Sequence, residues 1–344
     1  MRLLILGGTR FVGRHLVDVA LAHGHAVTLF NRGKTDATLF PNLEQLHGDR
    51  ANPSDLELLQ GRIWDTVIDT CGYVPGIVQL SAQALKDATA HYTFISTISV
   101  YADTRVAGIT EEHALGTISD EAANALTTNE GVTGETYGPL KVLCEQAVQQ
   151  AFPNTTLIIR PGLIVGPNDQ TDRFTYWPQR VAQGGAVLAP GSADWVTQVI
   201  DVRDLAEWTL HMVEAQQAGI YQATGPEREL TFGELLITCA KASKAKPEFV
   251  WVDEQWLLNQ KVAPWSDLPL WIPTNDPDYV GFSRMNCGKA IAMGLRFRSI
   301  EQTVRDTLAW HATCGLVELK AGLKRERETE LLAQWREING RPTR

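Results

Sequence analysis

MRLLILGGTRFVG, residues 1–13, sets a short apolar run against a glycine-rich turn, and the rest of the chain is read outward from it. LLIL (3–6) has no polar member, as a strand buried on both faces requires. After the turn, Phe11–Ala22 carries Val12, Leu16, Val19 and Ala20 at the spacing of an amphipathic helix. Further apolar runs follow at AVTLF (26–30), TVID (66–69), YTFIS (92–96) and TLIIR (156–160), with amphipathic stretches between them. Repeated strand–helix units of this kind build a mostly parallel sheet covered by helices on both faces. The expected class is therefore α/β, a Rossmann-type doubly wound parallel sheet with a smaller C-terminal substrate domain.

Composition changes along the chain. Residues 102–136 are rich in Gly, Thr, Glu and Asn with little periodicity, which predicts a long functional or mobile loop. From about residue 166 Trp and Pro become frequent, as in PWSDLPLWIP (264–273). The expected division is 1–165 with about 199–225 for the dinucleotide-binding part, 166–198 with 226–310 for the substrate-binding part, and 311–344 as a helical tail. The charged KRERETELLAQWRE (324–337) reads as a solvated helix.

Bulk properties exclude several classes. The net charge of −9 argues against a general nucleic-acid binder. No apolar run reaches the roughly 18–20 residues of a membrane span, and the N-terminal residues run straight into a strand, so no membrane association and a cytoplasmic location are expected. Five scattered cysteines fit neither a disulfide framework nor a zinc set, so reduced thiols are expected. His23 and His25 sit at i, i+2 with no third ligand nearby in sequence, and no metal is expected.

A turn such as GGTRFVG (7–13), placed between a strand and a helix, lets the backbone approach a pyrophosphate and aims the N–H groups of the helix N-terminus at it. Arg10 stands where a middle glycine is common. The end of the second strand should read the adenosine ribose. An acidic residue there favours NAD, but this chain has Asn31-Arg32-Gly33-Lys34. A neutral residue followed by cations suits a 2′-phosphate, so NADP is expected over NAD.

YGPLK (137–141) places Tyr137 and Lys141 one helical turn apart. A phenol titrates near 10, and a cation about 4–6 Å away would lower that value and make Tyr137 a proton donor or acceptor near neutral pH. Pro139 is expected in the first turn of that helix. FISTISVY (94–101) offers Ser96, Thr97 and Ser99 as hydroxyls that align a substrate oxygen.

Taken in order, GGTRFVG, HGDR (47–50), VIDTCGY (67–73), STISVY (96–101), YGPLK, LIIRPGLIVGP (157–167) and VIDVRDLA (199–206) resemble the extended and atypical short-chain dehydrogenase/reductases, the epimerase/dehydratase-like group. The resemblance covers roughly residues 1 to 310. It implies Thr97, Tyr137 and Lys141 as the catalytic set, with Tyr137 the acid/base and Lys141 both lowering its pKa and holding the nicotinamide ribose. It implies coenzyme contacts at Gly7, Thr9, Arg10, Phe11, Val12, Gly13, Asn31, Arg32, Asp49, Arg50, Cys71, Pro161 and Gly162, with Asp49 at the adenine. Cys71 is expected as a small buried neighbour of the coenzyme rather than a nucleophile, and Arg160 is expected near the nicotinamide. Asp201 and Asp204 are expected to orient the returning chain. Arg173, Tyr176 and Trp177 fall where the substrate lid begins, and either ligand stacking or packing between domains suits them.

The chain also departs from the pattern. Forty residues run from Thr97 to Tyr137, so a loop is inserted beside the site. Ile98-Ser99 stands where dehydratases carry an Asp-Glu pair, which argues against elimination chemistry. The expected activity is NAD(P)-dependent hydride transfer to or from a small carbonyl or alcohol, with a homodimer as in relatives. A nucleotide-sugar epimerase with retained NAD is one alternative. A non-catalytic RNA-binding or regulatory protein is another, since GGTRFVG and NRGK also resemble chloroplast stem-loop-binding proteins.

Overall fold

The computed structural model describes residues 1–36, 38–315 and 318–339. Its strands are β1 (Arg2–Leu6), β2 (Ala26–Asn31), β3 (Glu44–His47), β4 (Thr66–Asp69), β5 (Tyr92–Ile95), β6 (Thr156–Pro161) and β7 (Leu163–Val165). They continue with β8 (Gly185–Pro190), β9 (Val196–Thr197), β10 (Val199–Asp201), β11 (Gly219–Ala223), β12 (Leu230–Thr231) and β13 (Pro247–Val252). The helices are α1 (Phe11–Ala22), α2 (Pro53–Leu56), α3 (Pro75–Ala84), α4 (Asp120–Asn124), α5 (Gly134–Ala151) and α6 (Tyr176–Ala182). After them come α7 (Val202–Glu214), α8 (Phe232–Ser243), α9 (Glu254–Asn259), α10 (Gly288–Ala292), α11 (Ile300–Thr313) and α12 (Arg325–Asn339).

Seven strands form one parallel sheet in the order β11-β6-β5-β4-β1-β2-β3. The chain lays β2 and β3 on one side of β1, then returns to place β4 on the other. A crevice opens at such a reversal, beyond the carboxyl ends of the two diverging strands, and ligands of α/β proteins sit there. The apolar character of LLIL follows from burial on both faces, where β1 packs into one core with Leu16, Val17 and Ile68 and another with Phe30 and Phe94.

A third core belongs to the later half of the chain. Trp177, Phe174, Phe232 and Trp271 are fully buried in it, and Trp195 stacks on Phe232 with ring centroids 4.2 Å apart. Tyr176 and Trp177 therefore pack inside this unit, Trp177 donating its Nε1–H to Pro269 O at 2.7 Å. The charged tail is also docked. Glu328 of α12 is buried, takes the Leu188 N–H at 2.9 Å and pairs with Arg180 at 2.5 Å, so one face of the expected solvated helix is a packing face. Residues 340–344 of the tail lie outside the described residues.

The long 102–136 stretch is more ordered than its composition suggests. Gly108 N–H donates to Arg284 O and Gly281 N–H to Thr104 O, both at 2.7 Å, which zips its first half to residues 281–284. Its second half holds α4. Among the described residues no helix is long and apolar enough to cross a membrane.

Candidate active site

Gly7 and Gly8 turn the chain out of β1 at φ +103° and +86°, values that L side chains rarely adopt. Gly13 has a different reason to be glycine. A Cβ there would lie 2.7 Å from the Gly8 nitrogen, so only glycine lets α1 press against the turn. Arg10 caps the twelve-residue α1 without any side-chain hydrogen bond, which leaves the helix N–H groups open to an anion. Arg10 itself reaches sideways, donating from Nε to Thr35 Oγ1 at 3.1 Å. At the end of β2, Asn31 Oδ1 accepts the Gly33 N–H at 2.8 Å while its buried Nδ2 has no protein partner. An open helix end, a glycine cradle and an orphan amide donor together fit a dinucleotide.

The other expected coenzyme residues are placed unevenly. Asp49 lies half-buried beyond β3 with Oδ1 on the Ala51 N–H at 3.0 Å. Arg50 is committed inside the protein: its two terminal nitrogens grip the Asp69 carboxylate at 2.7 Å each, and Tyr92 OH closes the pair at 2.9 Å. Its part is thus to hold the loop after β4, Cys71 included, whose N–H donates to Asp69 Oδ1 at 3.0 Å. Arg160 likewise lies beneath the site and not against it. Its guanidinium is fully buried and forks onto Glu145 at 3.0 and 2.6 Å. Pro161 ends β6, and Gly162 follows it where a Cβ would meet Thr224 at 2.6 Å or less. Asp201 caps α7 and takes Arg203, while Asp204 holds Arg298 at 2.6 Å, so both orient the returning chain.

Tyr137, Lys141 and Glu145 form one stripe down α5, and each does different work. Helix α5 opens at Gly134 behind a capping box of Thr133 and Thr136, so Pro139 falls in the second turn and not the first. What brings Tyr137 to the end of β5 is Gly138. A Cβ on Gly138 would sit 1.9 Å from Ser99 O, so α5 lies directly on the 3₁₀ turn Ile98–Val100 and no other residue permits that approach. Sequence reading missed Gly138, because the Ser99 main chain that demands a glycine there is distant in the sequence. Thr97 caps the 3₁₀ turn, accepting the Ser99 N–H at 3.1 Å and donating to Ser99 Oγ at 3.2 Å. Ser96 is not available to a ligand, since its hydroxyl donates to Glu145 at 2.5 Å.

Electrostatics at the site differ from expectation. Burial pushes the Tyr137 phenol above its ordinary value, against the opposing pull of the nearby Thr97 hydroxyl and of the Arg173 charge. Lys141 is turned elsewhere: Nζ donates to Gly72 O at 2.8 Å and Ile95 O at 2.6 Å, 4.2 Å from the centre of the Phe94 ring. Burial lowers its own pKa. The expected lowering of Tyr137 by Lys141 is therefore not what the structure has, because the ammonium spends two of its three N–H bonds tying the ends of β4 and β5 together. Tyr137 stays a neutral phenol at neutral pH, suited to donating a proton. Arg173, whose charge acts on Tyr137, lies with its guanidinium 5.7 Å from the Trp265 ring centre.

Gly138→Ala tests this geometry. Overpacking against main chain costs about 1–3 kcal/mol, so the variant should melt lower and lose Tyr137–Thr97 alignment. Unchanged melting and unchanged activity would show that α5 is free to shift.

Fold and turn define a class: a Rossmann-type α/β protein with a glycine-rich first strand-to-helix turn. The chain belongs to the NAD dependent epimerase/dehydratase family, whose model matches residues 3–223. It is 28% identical over 266 residues to the chloroplast stem-loop binding protein of 41 kDa b of Arabidopsis thaliana, a match covering 72% of this chain. The chain spans about 65% of the length of that curated relative. Among solved structures it is similar to the Bordetella bronchiseptica enzyme WbmH in complex with NAD+, at 16% identity, a TM-score of 0.67 and coverage of 92% of this chain and 99% of that one. It is also similar to UDP-glucuronic acid 4-epimerase from Bacillus cereus in complex with NAD, at 16% identity, a TM-score of 0.65 and coverage of 91% and 99%. At these identities the likeness shows the fold.

Proposed function

We propose that the chain is an enzyme that moves a hydride between a nicotinamide coenzyme and a carbon bearing a small substrate's hydroxyl or carbonyl. The observation that carries this reading is the half-buried Tyr137 on α5, a phenol that burial pushes above its ordinary value, with the Thr97 hydroxyl close enough to act on it. The coenzyme, when bound, supplies or accepts the hydride at nicotinamide C4. Thr97 and Tyr137 hold the substrate oxygen, and Tyr137 gives that oxygen a proton during reduction or takes one during oxidation. Lys141 keeps the loop carbonyls of Gly72 and Ile95 in place beneath the ring's site and has one N–H left for a ribose hydroxyl. Thr9, Phe11 and Val12 lie in the turn or the first turn of α1, where main-chain N–H groups would face the pyrophosphate.

NADP is the coenzyme we favour. β2 ends in a neutral Asn31, while Arg32 and Lys34 are exposed with no recorded ion-pair partner among the described residues. Charge-assisted bonds to a 2′-phosphate contribute about 1.5–3 kcal/mol, roughly ten- to a hundredfold in affinity. In thermal-shift titrations NADP should raise the melting temperature more than NAD, and Arg32→Ala should narrow the gap. Equal shifts in the unaltered chain would overturn the preference.

Two other readings each have an observation behind them. The family match and the NAD-bound epimerases among the structural neighbours favour a nucleotide-sugar epimerase that retains its coenzyme. That reading predicts interconversion of sugar epimers with no net consumption of reduced coenzyme. The stem-loop-binding relative favours an RNA-binding role, for which a gel shift at varied salt is the direct assay. The net charge of −9 weighs against it.

A further inference from the structure

The turn from α1 into β2 meets the end of α7 near the amino ends of the strands, at the opposite end of the sheet from the coenzyme crevice, and three metal-ligating side chains converge there. His23 Nδ1 lies 3.0 Å from Glu214 Oε1, and His25 Nε2 lies 2.8 Å from the same oxygen. All three ligand atoms fall within 4.8 Å of one another. The sequence hides this grouping because Glu214 stands almost two hundred residues from the histidines.

We propose that His23, His25 and Glu214 form a binding site for a divalent transition-metal ion of the zinc type. Zinc takes imidazole nitrogen and carboxylate oxygen at about 2.0–2.2 Å, so neighbouring ligands of a tetrahedral site stand about 3.3 Å apart. The two nitrogen-to-oxygen separations need to widen by only a few tenths of an ångström, and the two nitrogens already lie within 4.8 Å of each other. Both backbones that carry the ligands are already fixed. Gly24 at φ +77° lets the chain double back, with the His23 N–H on Val19 O and the His25 N–H on Ala20 O, each at 3.0 Å. Opposite, Glu214 is the last residue of α7, which packs on α1, and Ala215 N–H closes that helix on His211 O at 3.1 Å. Ordering the ligands therefore costs little when the ion arrives.

Proton balance is simple. Each imidazole now offers an N–H to Glu214. On binding, both rings use the tautomer that bears its proton on the far nitrogen, and the ion replaces the two facing protons. His23 and Glu214 are exposed, so water fills the fourth position. The ion would clamp α1 to α7 and stabilise the folded chain without touching the active site.

The test is calorimetric titration of zinc chloride into the chain carrying no added histidines and a Cys314→Ser change, which removes the exposed thiol. We expect one saturable zinc per chain and a raised melting temperature. Affinity should fall by about tenfold or more in each of His23→Ala, His25→Gln and Glu214→Gln, and magnesium should leave the melting curve unmoved. His23→Ala alters only an exposed side chain, and its zinc-free melting curve checks that the fold is intact. Absence of saturable uptake, or equal uptake in all three variants, would overturn the site.

Discussion

Tyr137→Phe should lose about 10²–10⁴-fold in turnover while binding coenzyme as the unaltered chain does. The substitution deletes one oxygen and leaves the ring against Tyr73, whose centroid lies 6.3 Å away, so packing is preserved. Only the phenol oxygen, the proton donor near Thr97, disappears. Paired measurements of steady-state turnover and coenzyme affinity separate the two effects. Retained turnover would remove Tyr137 from the chemistry, and lost coenzyme binding would mean the phenol is a ligand of the coenzyme instead.

The largest loss of stability should come from Glu145→Ala. Arg160 is fully buried with its guanidinium on the Glu145 carboxylate, and the two side chains are 0% and 3% exposed. Removing the carboxylate leaves a buried charge whose remaining partners are Tyr101 OH and Glu111 O at 3.3 and 3.4 Å. Breaking such a pair from one side costs about 3–5 kcal/mol. The exposed pair Arg336–Glu248 gives the contrast, since surface pairs contribute about 0–1 kcal/mol. Urea unfolding midpoints of Glu145→Ala and Glu248→Ala should differ accordingly. A similar small shift for both would mean Arg160 finds water or another partner.

Much of this was legible in the residues themselves. LLIL before GGTRFVG fixed the first strand, turn and helix because burial on both faces, positive φ and helical spacing each leave a local mark. The order of later apolar runs gave the parallel sheet. What sequence could not supply were pairings across long separations. Arg50 and Arg160 look like ligand-binding cations until Asp69 and Glu145 are seen opposite them, 19 and 15 residues away. Lys141 had a role assigned through its i, i+4 relation to Tyr137, but two loop carbonyls outcompete the phenol for its ammonium. Gly138 shows the same limit from the other side: its necessity lies in Ser99 O, a main-chain atom that leaves no trace in local pattern. The docked tail is a third case, since Glu328 is one carboxylate among several in a charged run, and only Arg180 and Leu188 single it out.

A crystal structure of the chain with NADP bears most directly on the central claim. The pyrophosphate should lie on the N-terminus of α1 between Gly7 and Gly13, with the nicotinamide ring in the crevice beside Tyr137 and Lys141. A coenzyme bound elsewhere, or one whose ring turns away from the Tyr137 hydroxyl, would contradict the account.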